Sequence, residues 1–119
     1  PQDLIPAIDI DALLDFKDIN TGLVQDLERL KPYGEGNPKP FFAARDISKK
    51  SAPKKINSYY SLWLSNEERT FEGIVYDKDI LAIINYADNF DIVFSFQMNY
   101  YHNAPKLIIR DCRLSDRKD

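Results

Sequence analysis

Residues 30–42 read LKPYGEGNPKPFF, and no other run in the chain restricts its folding so sharply. Three of the seven prolines and two of the four glycines fall within it. A proline has no N–H to donate and holds φ near −65°, so neither a helix interior nor a central strand can run through Pro32, Pro38 or Pro40. Asn37 precedes a proline, which pushes it to an extended conformation, and its amide suits turns. Gly34 and Gly36 permit positive φ or a close backbone approach. The run lacks the following helix N-terminus that a phosphate-cradling nest uses. It is a helix exit followed by a stiff lead into a strand, and it separates two regions of different periodicity.

On its N-terminal side, Ile8-Asp9-Ile10-Asp11 alternates apolar and acidic residues, a short strand signal. Asn20 suits an N-cap, and Leu23, Val24, Leu27 and Leu30 recur at helical spacing through Lys31, with Pro32 as the stop. On the other side the period is two. Phe41–Ile47 reads as a first strand, Ser48–Asn57, with its four lysines and Pro53, as a loop, and Ser58–Leu64 (SYYSLWL) as a second strand. Ser65–Glu68 is a turn and Arg69–Tyr76 a third strand. Asp77 suits the cap of a short helix with Ile80, Leu81, Ile84 and Ala87 on one face. Asp91–Tyr101 is the clearest strand, with Phe94, Phe96, Met98 and Tyr100 opposed to Ser95, Gln97, Asn99 and Tyr101. His102–Pro105 turns the chain, and Lys106–Leu114 is the fifth strand.

Three strands, a short helix and two strands are the plan of an OB-fold. The expected class is mainly β with two short helices. A five-stranded OB-fold barrel should occupy residues 40–119, preceded by a strand–helix segment and Gly/Pro linker over residues 1–39. An SH3-like barrel would not expect the intervening helix.

The 119 residues suit one domain, and 44% apolar content with seven Phe, seven Tyr and one Trp is enough for a core. The first residue is Pro, which suggests a piece of a longer protein. One cysteine permits no internal disulfide and suits a reducing cytoplasm. No apolar run approaches the roughly 18–20 residues of a membrane span. The net charge of −3 conceals a basic centre: Lys31, Lys39, Arg45, Lys49, Lys50, Lys54 and Lys55 lie in residues 31–55, between acidic flanks.

Catalytic chemistry finds little support. His102, the only histidine, sits in a turn beside Asn103, and Cys112 lies near a strand end as a small packed hydrophobe. No His, Cys or carboxylate cluster has metal-ligand spacing. Binding is better supported. An OB-fold presents ligands to its second and third strands and to the loops after strands one and four. Those places hold Lys49, Lys50, Lys54 and Lys55, then Tyr59 and Trp63, then Tyr101 with Lys106 at the loop exit. Cations along phosphates and aromatic faces under bases are what single-stranded nucleic acid needs. The same aromatics could instead pack on a neighbouring protein surface, and Glu67, Glu68 and Glu72 nearby would repel phosphate.

The spaced set Leu27, Leu30, Pro32, Tyr33, Gly34, Gly36, Asn37, Pro38, Pro40 and Phe42 resembles a segment of the RecJ family of single-strand-specific DNA exonucleases. That family usually carries a Leu-x-Pro-Phe-Gly-x-Gly-Asn-Pro-x-Pro run there, between a strand–helix and an OB-fold. Phe94, Asn99-x-Tyr101 and Asp111 are weaker echoes. The resemblance implies a cytoplasmic 5′–3′ nuclease of recombination and repair, using manganese or magnesium held by Asp and His motifs. None of those motifs stands in this chain, so it resembles the C-terminal part alone, without the nuclease core and without a cofactor of its own. Its implied partners are single-stranded DNA and that core. In this reading Lys49, Lys50, Lys54, Lys55 and Lys106 contact phosphate, while Tyr59, Trp63 and Tyr101 stack bases. Pro32, Gly34, Gly36, Asn37 and Pro38 orient the domain. The rival expectation is a protein–protein docking module. Two departures stand out: Asn103 where the family often has Gly, and aromatics where many members have a basic face.

Overall fold

The computed structural model describes residues 10–34, 36, 38–99 and 101–115. Among them, seven strands and two α-helices run in the order β1 (Ala12–Leu13), α1 (Thr21–Glu28), β2 (Phe42–Lys49), β3 (Lys54–Ile56), β4 (Tyr59–Ser65), β5 (Thr70–Val75), α2 (Lys78–Tyr86), β6 (Phe90–Asn99) and β7 (Ala104–Leu114). Five of these strands close on themselves. β2 pairs antiparallel with both β4 and β6, β4 with β5, and β6 with β7, while β5 and β7 run parallel. This ring is the OB-fold barrel expected from the strand–helix order, with β1 and β3 added as short flanking strands.

The first barrel strand serves two neighbours because it bends. Phe42, Ala43 and Ala44 register with β6, the register shifts before Ile47, and Ser48 and Lys49 register with β4. Asp46 sits at the bend with φ of 61°, in the left-handed region that Asp tolerates better than most residues. Its N–H donates to Asp91 Oδ1 at 3.0 Å, which ties the bulge to the start of β6.

Alternation decides what fills the barrel. Leu62 and Leu64 from β4, Phe71 and Val75 from β5, Phe90, Ile92, Phe94, Phe96 and Met98 from β6, and Leu107 and Ile109 from β7 make one buried cluster. Phe42, Phe94 and Phe96 meet as a ring cluster, with Phe94 and Phe96 edge to face at 5.2 Å. Gly73 is a glycine whose bareness the packing requires. A methyl group there would stand 2.5 Å from Leu64 Cδ1, across the β4–β5 pair.

Both helices contribute to that core. α2 is capped by Asp77, whose carboxylate accepts from the Asp79 and Ile80 N–H groups, and it buries Ile80 and Ile84. α1 is capped by Asn20, which accepts from Leu23 N–H at 2.8 Å, and it buries Val24. Phe16 and Ile19 precede it and join the same cluster, Phe16 meeting the Phe71 ring edge to face at 5.1 Å.

Three local expectations need correction. The helix ends at Glu28, with Arg29 as its cap, before the proline stop is reached. Part of the expected lysine loop is strand: Lys49 ends β2, and Lys54–Ile56 forms a hairpin with β4 through Asn57, at φ of 53°. The N-terminal strand lies at Ala12–Leu13, parallel to Phe42–Ala43, rather than at residues 8–11, of which 8 and 9 lie outside the described residues. Gly34 does not use the positive φ that glycine permits, and among the described residues a methyl group there would meet no atom within 4 Å. The run is held in another way: the Tyr33 hydroxyl donates to the Leu27 carbonyl, folding the exit back on α1. Pro32 and Pro38 are exposed, and Asn37 lies outside the described residues.

Candidate nucleic-acid interface

The alternation that buries Leu62 and Leu64 turns Trp63 outward, where it is 50% exposed. Its main chain is fixed on both sides. The Trp63 N–H donates to Ser51 Oγ at 3.0 Å, and the Trp63 carbonyl accepts from Lys50 N–H at 2.8 Å. The backbone that carries the indole is thus held in place on the outer sheet face.

Register places a row of polar groups beside it. Trp63 is opposite Glu72, Glu72 opposite Lys106, and Lys106 opposite Gln97. Adjacent strands lie about 4.8 Å apart, so an aromatic, a carboxylate, an ammonium and an amide follow one another at that spacing. Ser61 Oγ donates to Glu72 Oε2 at 2.7 Å. The first three members of the row line an open groove of about 520 Å³, together with Arg69, His102 and Asn103. Among the described residues no ion pair engages Lys50, Lys54, Arg69 or Lys106. The next row is less polar: Ile74, buried at 3% although it points outward, stands between Ser61 and Ile108. Beyond it Tyr59 lies against Tyr76, ring centroids 5.6 Å apart.

Trp63 and five more of the residues expected to touch nucleic acid come together on this face. Lys50 abuts Trp63 through its backbone, Lys106 lies in the same row, and Tyr59 is on the same side of β4. Lys54 is directly opposite Ser61, so it shares the Trp63 side of the sheet. Tyr101 stands at the rim, 98% exposed, in the turn that carries His102, its N–H donating to Asn99 Oδ1. Two lysines are elsewhere. Lys55 is opposite Tyr60 and belongs to the other side of the edge strand. Lys49 Nζ donates to the Ile84 and Asn85 carbonyls, at the last turn of α2.

Arg69, Tyr76 and Gln97 are absent from the expected set. Period two from Glu72 through Ile74 reaches Tyr76, so alternation alone could have found it. Arg69 could not be found that way: the expected strand began with it, but alternation gives it the side of Phe71 and not of Glu72, and the strand itself begins at Thr70. Its guanidinium is placed by the Phe71 ring at 5.4 Å and the Lys17 carbonyl at 3.5 Å. Among the described residues no three His, Cys, Asp or Glu side chains gather in a way that could hold a metal ion. The donor set of those residues therefore does not fit a catalytic metal. Burial, then the charges of Asp111 and Asp91, push the Cys112 thiol up to about 12, which leaves it an unreactive core group.

A closed five-strand barrel with an aromatic and cationic groove across its second and third strands defines an OB-fold module. The family model of the RecJ OB domain matches residues 10–111, and the chain belongs to that family. Among solved structures, RecJ from Thermus thermophilus in complex with Mn2+ is similar over 92% of this chain, with a TM-score of 0.61 and 19% identity. This chain spans only 16% of that protein. Two further structures are similar at lower scores. The S. pombe Stn1–Ten1 complex matches 65% of this chain and 59% of its own, at TM-score 0.45 and 7% identity. A putative aspartyl-tRNA synthetase from Leishmania major Friedlin matches 95% of this chain and 22% of its own, at TM-score 0.46 and 10% identity. No curated protein matches.

Proposed function

We propose that this chain is the non-catalytic, nucleic-acid-binding C-terminal part of a RecJ-like 5′–3′ single-stranded-DNA exonuclease. It grips the DNA strand during recombination and repair in the cytoplasm. Hydrolysis belongs to a nuclease core outside this chain, where manganese or magnesium would be bound. The observation that carries this reading is the half-exposed, backbone-fixed Trp63 in a groove whose cations, Arg69 and Lys106, have no ion-pair partner among the described residues. Bases stack on the indole and on Tyr59, with Tyr101 at the rim, each stack contributing roughly 1–3 kcal/mol. Lys50, Lys54, Arg69 and Lys106 take phosphates, so binding weakens as salt rises. The linker of Pro32, Gly34, Gly36, Asn37 and Pro38 orients the barrel toward the core.

The test is Trp63 fluorescence titrated with oligo-dT at low and then physiological salt. Saturable quenching that fades with salt is expected. A flat signal at low salt would overturn this reading and favour the rival one, in which Trp63 and Tyr59 dock on the nuclease core or another protein.

A further inference from the structure

Glu72 is the odd member of the groove. Its carboxylate stands between Trp63 on one strand and Lys106 on the other, yet it makes no ion pair with Lys106 among the described residues. Instead Ser61 Oγ holds Oε2 at 2.7 Å, which fixes the carboxylate's orientation and leaves the other oxygen to accept from a ligand. A phosphate passing over this position meets a like charge one strand from the indole. The part of a nucleotide that can lie here is therefore the base, with its phosphates displaced toward Lys106 and Arg69.

An ionised carboxylate accepts hydrogen bonds and donates none. The edge of a base stacked on Trp63 reaches the neighbouring strand, about 4.8 Å away. At that edge cytosine presents an exocyclic amino group, a donor that Asp and Glu accept from. Thymine presents the O4 carbonyl in the same place, and two acceptors repel.

We propose that Glu72 is a base-selecting residue: it accepts from the amino group of the base stacked on Trp63, so the groove prefers cytosine to thymine. The inference rests on the nucleic-acid reading above. Losing a hydrogen bond to a charged group and facing two acceptors together corresponds to a preference on the order of tenfold.

The experiment is a fluorescence titration of this chain and of Glu72→Gln with oligo-dC and oligo-dT of equal length at one low salt concentration. Glutamine is nearly isosteric and can keep the Ser61 contact, but its amide offers an acceptor to cytosine and a donor to thymine. The expected result is about tenfold tighter binding of oligo-dC, collapsing to within about twofold in Glu72→Gln. Equal affinities in the unsubstituted chain, or a preference that survives Glu72→Gln, would overturn the base-selecting role while leaving the binding face in place. Absence of binding by either oligomer would overturn both.

Discussion

The Lys49 ammonium donates to the Ile84 carbonyl at 3.2 Å, so a lysine from the basic centre of the chain caps a helix rather than facing the groove. Asn85 O, at 3.4 Å, is a second acceptor. A cation at the last turn of a helix satisfies carbonyls that have no partner within it and meets the negative end of its dipole. Lys49→Met should therefore cost about 1 kcal/mol of stability, while oligo-dT affinity stays within about twofold. Thermal denaturation paired with a titration separates the two effects. A large affinity loss without destabilisation would return Lys49 to the binding face.

Lys54 and Lys55 are neighbours in sequence with opposite orientations in β3, one opposite Ser61 and the other opposite Tyr60. Lys54→Glu should weaken oligo-dT binding by about three- to tenfold at low salt and flatten its salt dependence, whereas Lys55→Glu should have a clearly smaller effect. Anisotropy measured across a salt series distinguishes them, and equal effects would contradict the side of the sheet assigned to each.

Gly73 faces Leu64, which is fully buried. Gly73→Ala forces a methyl into that contact, and overpacking of this kind costs about 1–3 kcal/mol. Chemical denaturation should show a lowered midpoint, and a neutral result would mean that Leu64 can shift.

Phe16 is only 1% exposed and meets Phe71 edge to face, which makes the segment before α1 part of the barrel's core. Phe16→Ala should lower stability by about 3–5 kcal/mol, as large aromatic truncations in cores do. Asn66 reinforces this anchor, its side-chain amide donating to Asp15 Oδ1 at 3.0 Å. A loss under about 1 kcal/mol would indicate that the segment is only loosely attached.

Cys112 gives a pH signature. Its folded thiol is raised from 9.0 to about 12 by burial first and by Asp111 and Asp91 after it. Below pH 9 the thiol is protonated in both folded and unfolded states, and its contribution to stability is complete. Between pH 9 and 12 the unfolded chain releases this proton and the folded one does not, so stability falls as pH rises. Urea unfolding followed from about pH 8 to about pH 10.5 should show a steeper decline than in Cys112→Ala. Parallel declines would sink the assignment.

The barrel strands were legible because period two persists through SYYSLWL and DIVFSFQMNY, and the helix caps because Asn20 and Asp77 precede apolar helical spacing. Of the two extra strands, the N-terminal one was signalled by the alternation at Ile8–Asp11 but lies slightly later, at Ala12–Leu13, where β2 pairs with it. β3 was not legible, since a three-residue strand carries no periodicity of its own and exists only through pairing with β4. Trp63 and Lys106 could be placed on the outer face by alternation alone. That Glu72 lies between them could not, because the parallel β5–β7 register joins residues far apart in sequence. The same holds for Lys49, whose partners lie in α2. Left-handed backbone, which glycine permits most readily, is taken up among the described residues by Asp46, Asn57, Glu67 and Asn103 at a bulge and turns, positions that alternation does not single out.

The barrel closes between β2 and β4 through only two register pairs, Ser48 with Ser65 and Lys49 with Leu64. Every other seam of the ring is longer. The short seam continues directly into the bonds that Lys50 and Ser51 make with the Trp63 backbone. Amide hydrogens there should exchange with solvent ahead of those along β6 and β7, because local opening begins where the fewest bonds must break. A ligand seated on the indole would then act as a clasp on the cylinder, slowing its breathing at a distance from the long hairpin that carries most of the structure.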